Sequence, residues 1–157
     1  MKWLILSDSH GVISNMKQAV IRSSPDGILH LGDCWQDGQR LHQLFPQLPF
    51  YQVPGNCDFR PDVPSERVLK WKDSVFCSAT AIRMVSSSPC CPQDMRPRSR
   101  TWIVFLFGHT HRPLVDRRGK TLFLNPGSIG DPLHPFYGEV LLEPGHLDGR
   151  TVELPRV

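Results

Sequence analysis

The run Trp3-Leu4-Ile5-Leu6-Ser7-Asp8-Ser9-His10 decides how the rest of the chain is read. Its apolar residues 3–6 are too short for a helix and read as a buried strand, which breaks off into an acid and an imidazole two residues apart. The same order recurs along the chain. Apolar residues 28–31 lead to Gly32-Asp33, residues 50–53 to Gly55-Asn56-Cys57-Asp58, and residues 103–107 to Gly108-His109-Thr110-His111. Each polar cluster is thus placed where a strand ends, which is where α/β folds gather ligands.

Carboxylate, imidazole and amide oxygen together suit divalent ions such as Mn²⁺, Fe²⁺, Zn²⁺ or Ni²⁺. On an extended segment Asp8 and His10 would point to one side and grip one ion from one edge. With its two oxygens, Asp33 could bridge two ions about 3.5–4 Å apart, a separation that clamps a phosphoryl group. His109 and His111 repeat the two-residue spacing and could give one imidazole to each ion. Taken singly, an Asp-x-His or a Gly-Asp is more often a turn or a satisfied surface pair. Asn56 alone reads equally well as a turn residue in the left-handed conformation. The joint reading rests on all the clusters occurring in order, each behind an apolar run.

With these motifs the chain resembles the calcineurin-like metallophosphoesterases, in particular their small, YfcE-like prokaryotic phosphodiesterase branch. The resemblance spans residues 1–75 and 102–142 and includes a further motif, Asn125-Pro126-Gly127-Ser128. It implies an α/β fold, a two-sheet β-sandwich flanked by helices in four αββα layers, with a two-metal site at one edge. By the same resemblance Asp8, His10, Asp33 and His111 hold one ion, and Asp33, Asn56 and His109 share the other with a middle histidine. Two divalent ions are implied, Mn²⁺ first, with Ni²⁺, Zn²⁺, Fe²⁺ and Mg²⁺ as alternatives. Asp33, Asn56 and His109 take the catalytic part in hydrolysing a small phosphodiester by a water that the ions make acidic.

The chain departs from that pattern in three places. The family's middle His-Gly-His is missing, and no histidine occurs between His42 and His109. Cys57 stands where many relatives carry a histidine that helps protonate the leaving group, and a thiol is a poor substitute for it. Val12 stands where asparagine often follows Asp-x-His-Gly. Residues 76–101, where the middle motif belongs, have no sustained periodicity and read as an unstructured Ser/Pro/Arg-rich insert. Reading the third base of each codon with the first two of the next permits His, Gly and His at the pairs 79–80, 80–81 and 81–82, and requires Gly at Met84-Val85. Two compensating frame changes, near Val75 and near Trp102, would therefore have overwritten about one strand and one helix of a parent enzyme. DNA sequence across codons 70–105 lacking His-Gly-His in the shifted frame would end that reading.

A chain of 157 residues, 39% hydrophobic, reads as a single domain with one core. Five cysteines, with neither a signal peptide nor a long apolar span, predict a soluble, reduced, cytoplasmic protein with no membrane contact. No Cys-x-x-Cys pair supports a zinc cluster. The formal charge of +3 does not argue for nucleic acid, because Arg83, Arg96, Arg98 and Arg100 against Asp94 in the irregular stretch supply all of it. A homo-oligomer remains open.

Ser14 is the expected N-cap of a helix running to about Ser24, with Met16, Ala19 and Val20 on its apolar side. Residues 37–45 predict a second helix, stopped by Pro46. This βαβαβ start implies parallel strands, while residues 121–124, 139–142 and 151–154 read as strands of a second sheet. Asp58 is expected to orient a neighbouring group, and His30, His42, His134 and His146 to be surface or packing histidines. A second class of function is a catalytically weak or inactive binding scaffold, as in the retromer subunit that resembles this family.

Overall fold

The computed structural model describes residues 1–59, 63–71, 74–79 and 102–155. Strand β1 (Lys2–Leu6) is followed by helix α1 (Ile13–Ser23), β2 (Gly27–His30), α2 (Trp35–Leu44) and β3 (Phe50–Gln52). β1 pairs in parallel with β2, and β2 with β3, as a βαβαβ start requires. Both faces of β1 and β2 are buried, which explains why their sequences are nearly continuous apolar runs rather than alternating ones. Trp3, Ile5, Leu29 and Leu31 face the sandwich interior with Val104, Leu106, Leu122 and Leu124. Leu4, Leu6 and Ile28 face the other way, against Met16, Ala19 and Val20 of α1 and Leu41 of α2.

α1 buries Met16, Ala19, Val20 and Ser23, the one-sided spacing its sequence predicts. Its N-cap is Val12, without a side-chain hydrogen bond, so Ser14 lies inside the first turn rather than capping it. The left-handed Ser24 ends the helix, its N–H bonding Val20 O. α2 starts at Trp35, two residues before the expected start at Asp37, because the turn after Gly32 already reverses the chain at Cys34.

β4 (Glu66–Trp71), β5 (Ser74–Ala79), β6 (Trp102–Phe107), β7 (Leu114–Arg118) and β8 (Thr121–Asn125) make the second sheet, in the order β4-β5-β6-β8-β7. β9 (Phe136–Glu143) and β10 (His146–Glu153) complete the first, in the order β10-β9-β1-β2-β3. Residues 139–142 and 151–154 therefore do not join the second sheet as expected. β9 lies antiparallel on the free edge of β1, with Lys2 opposite Leu141 and Ile5 opposite Gly138. Alternation along a strand specifies which face is buried, not which neighbour it pairs with, and that is where the expectation failed.

β4 and β7 were not expected. β7 alternates poorly because it is an edge strand exposed along most of its length. β5 takes in residues 76–79, so the irregular stretch begins as a strand, paired in parallel with β6 from Ser74 opposite Trp102 to Ala79 opposite Phe107. Residues 80–101, on which the shifted-frame reading falls, lie outside the described residues, and the two described helices both pack on the first sheet. Among the described residues no helix is long and apolar enough to cross a membrane.

Candidate metal centre

The loops after β1, β2, β3 and β6 carry the four sequence clusters to one edge of the sandwich. Asp8 is fully buried, and nearly everything about its loop is fixed. Its N–H bonds Gly32 O, and its carbonyl accepts from Gly130 N at 3.1 Å and Ser128 Oγ at 2.9 Å. Oδ2 accepts from Ser7 Oγ at 2.5 Å and from the His109 N–H at 3.2 Å. Oδ1 is buried, accepts no hydrogen bond, and faces His111 Nε2 at 3.2 Å. Burial pushes the Asp8 carboxyl above its ordinary range, and the Ser7 hydrogen bond and His111 only partly offset this.

His111 Nε2 in turn lies 3.5 Å from His10 Nε2. One donor atom from each of Asp8, His10, Asp33 and His111 falls within 4.8 Å of the others, so the four residues assigned to one ion are brought together. Two imidazole nitrogens at that distance, beside a buried carboxylate oxygen that accepts no hydrogen bond, offer lone pairs that one divalent cation can take up together. The donor set therefore fits the ion that the sequence implied. The means of convergence differ from expectation. Asp8 and His10 are not on an extended segment: both have positive φ, 54° and 44°. Asp33, His109 and His111 do as well, at 51°, 69° and 56°. Such conformations cost a non-glycine residue roughly 1–2 kcal/mol, and strain of this kind collects at functional sites. Asn56, which sequence alone could read as a left-handed turn residue, is not among the positive-φ residues.

Asp33 is buried, and its Oδ1 accepts the Cys57 N–H at 3.1 Å, which ties the β2 and β3 loops together. Asn56 and His109 are exposed at the ends of β3 and β6. Asn56 Nδ2 is directed at Cys57 Sγ, 3.6 Å away, and the His109 ring lies outside the four-residue cluster. The neighbouring Asp33 carboxylate, with burial second, holds the Cys57 thiol above its usual range and so protonated at neutral pH. Asp58 orients neighbours, as expected, accepting Trp35 N–H and Gly55 N–H on its two oxygens.

Sequence reasoning gave no role to several residues that hold the site. Asp37 Oδ2 accepts from Ser9 Oγ at 2.9 Å and from the Gly11 N–H at 2.7 Å, bracing the His10 loop. Asn125 donates to Gly108 O and Thr110 Oγ1 and accepts from Gly127 N–H, so the Asn-Pro-Gly-Ser motif is a strut between the Gly-His-Thr-His and Asp-Ser-His loops. Nothing in the spacing of Ser7, Asp37 or Asn125 announces this, because each acts either across fifteen or more residues or on a residue no more than two away. Gly55 is required by close approach: a Cβ there would lie 2.0 Å from Asp33 Oδ1 and 2.1 Å from its backbone nitrogen. Of the remaining histidines, His42 stacks on Phe50 and His134 pairs with Glu153 at 2.7 Å.

A two-sheet α/β sandwich that gathers a buried carboxylate and imidazoles at one sheet edge defines a class of fold with a site suited to a divalent ion. The chain belongs to the calcineurin-like phosphoesterase superfamily, whose domain matches residues 1–143. It is 31% identical over 136 residues to "Probable metallophosphoesterase YsnB" of Bacillus subtilis, covering 84% of this chain and 77% of that protein. It is 24% identical over 159 residues to "Phosphodiesterase YfcE" of Escherichia coli K12, covering 84% and 81%. Among solved structures, wild-type Vps29 of Entamoeba histolytica in complex with zinc superposes with a TM-score of 0.64 at 16% identity, covering 98% of this chain and 99% of that one.

Proposed function

We propose that the chain is a phosphodiesterase of small diesters that uses two divalent ions, and that the loss of the middle His-Gly-His weakens it. The observation that carries the reading is the unpaired, buried Asp8 Oδ1 facing His111, with donor atoms of Asp8, His10, Asp33 and His111 within 4.8 Å of one another. Asp8, His10, Asp33 and His111 would hold one ion, and Asp33, Asn56 and His109 the other. Bound there, the ions supply an acidified water and neutralise charge on the phosphoryl oxygens. Ser7 and the His109 N–H fix one oxygen of Asp8, leaving the other for the ion. The Cys57 thiol, kept protonated and exposed beside Asp33, is a weak proton source, which favours diesters with good leaving groups. Manganese as the resident ion, a cytoplasmic location and the two compensating frame changes belong to the same proposal.

The test is hydrolysis of a chromogenic bis-aryl phosphodiester by the purified chain, with Mn²⁺ added or all metal chelated. Manganese-dependent turnover supports the enzyme as it stands. No turnover, followed by recovery once His-Gly-His is restored, makes the chain a damaged copy of a phosphodiesterase. The absent middle histidine favours a second reading, a metal-holding scaffold without catalysis. Metal uptake without turnover, unchanged on restoring the motif, would select it.

A further inference from the structure

The side chains assigned to the first ion are not equally open. Asp8 and Asp33 are buried while His10 and His111 are exposed, so a ligand coming from solvent reaches the centre over the imidazoles. The loop between β8 and β9 is pinned to this centre near its start. Ile129 N–H bonds Ser7 O and Gly130 N–H bonds Asp8 O, both at 3.1 Å. A Cβ on Gly130 would lie 2.4 Å from Ser9 O and 2.8 Å from Asp8 O, so the backbone there presses directly on the Asp-Ser-His loop. Asp131 follows, one Cα step of about 3.8 Å further on. Its Oδ1 accepts the Leu133 and His134 N–H groups, each at 2.8 Å, in a turn that fixes the carboxylate. Among the described residues its Oδ2 takes no hydrogen bond.

The His134 and Leu133 N–H groups, and more weakly the rings of His134 and His111, hold the Asp131 carboxyl below the usual carboxylate range. It is therefore an anion at neutral pH, placed on the open, His111 side of the centre. His134 does little to cancel the charge, since its Nδ1 is engaged by Glu153 Oε1 at 2.7 Å. The charge bears on which phosphate enters. A phosphodiester has a single ionisable oxygen, whereas a monoester has a second that ionises near pH ~6. A fixed anion at the approach thus opposes a monoester dianion by one charge more than a diester. We propose that Asp131 is a specificity-determining residue, whose carboxylate selects singly charged phosphodiesters over doubly charged monoesters. The role rests on the phosphodiesterase reading above and gives that reading its choice of ester.

The experiment follows ³¹P line broadening of diethyl phosphate, a monoanion, and methyl phosphate, a dianion above neutral pH, each titrated against the full chain loaded with Mn²⁺. Paramagnetic broadening needs binding at the metal but no turnover. Asp131→Asn removes the charge and keeps an oxygen for the Leu133 and His134 N–H groups. It is expected to tighten methyl phosphate by about two- to fivefold relative to diethyl phosphate at low salt, the size of one partly screened surface charge. The change should shrink in roughly 1 M salt, where the screening length falls to about 3 Å. A residue that merely shapes the loop would shift both ligands alike, so an equal shift, or none, overturns the proposal. If that variant does not fold, Asp131→Ser, which also leaves a neutral acceptor, is read in the same way. A wild-type chain that takes up no Mn²⁺, or whose Mn²⁺ broadens neither ligand, defeats the metallophosphoesterase reading itself, and the selection falls with it.

Discussion

Five of the six residues that would touch metal also hold an uncomfortable backbone conformation. Among the described residues, Asp8, His10, Asp33, His109 and His111 all sit at positive φ. His109→Gly is therefore expected to raise the unfolding free energy by about 1 kcal/mol in urea titrations while losing the second ion, a separation of stability from function that an unstrained ligand would not show. Asp33→Ala or His111→Ala should abolish metal-dependent diester turnover, and full activity in either would remove the metal reading. His30 provides a pH test. Burial lowers its pKa from 6.5 to about 4, although Asp58, Asp37 and Asp33 pull the other way. Above pH 6.5 it is neutral folded or unfolded and contributes nothing; below that the unfolded chain takes up the proton first. Stability should fall by roughly 3 kcal/mol between pH 6.5 and 4, and His30→Gln should flatten that part of a denaturation series. The ligand types were legible in the sequence because coordination chemistry restricts them. The left-handed turns that aim them were not, since Asp and His, although enriched among the non-glycine residues at positive φ, still adopt negative φ far more often and so signal such a turn more weakly than glycine.

At the scale of elements, position 12 shows how a motif residue can serve the fold. It is the N-cap of α1, and valine there makes no side-chain hydrogen bond to the first turn. An asparagine would, which accounts physically for the residue expected after Asp-x-His-Gly. Val12→Asn should stabilise the chain by about 1 kcal/mol in chemical denaturation. The βαβαβ start could be read because its strands are buried on both faces and its helix spacing is unambiguous. The caps were missed by two residues, and β7 was missed because an edge strand with little burial has no pattern to show. Residues 139–142 and 151–154 were seen as strands and assigned to the wrong sheet, since pairing partners are decided by which edges stay open.

For the whole molecule, the site is a joint between parts far apart in sequence. His111 meets Asp8 across 103 residues, and Ser128 meets the same residue across 120. An ion that binds only this assembled arrangement adds to stability by mass action. Free Mn²⁺ at a hundred times its dissociation constant should add about 2.7 kcal/mol, read as a rise in melting temperature that chelation reverses and Asp33→Ala lacks. The two-sheet class was legible only through the family resemblance that the motifs carry.

β1 is central in the first sheet, but its partner on one side, β9, comes more than 125 residues later. On a ribosome adding about 5–20 residues each second, β1 would wait on the order of ten seconds with one apolar edge unpaired. During that interval the nascent chain presents a strand-shaped vacancy that chaperones or a neighbouring copy can occupy. Translation speed and the company the chain keeps while it emerges should therefore influence its yield more than the length of the protein suggests.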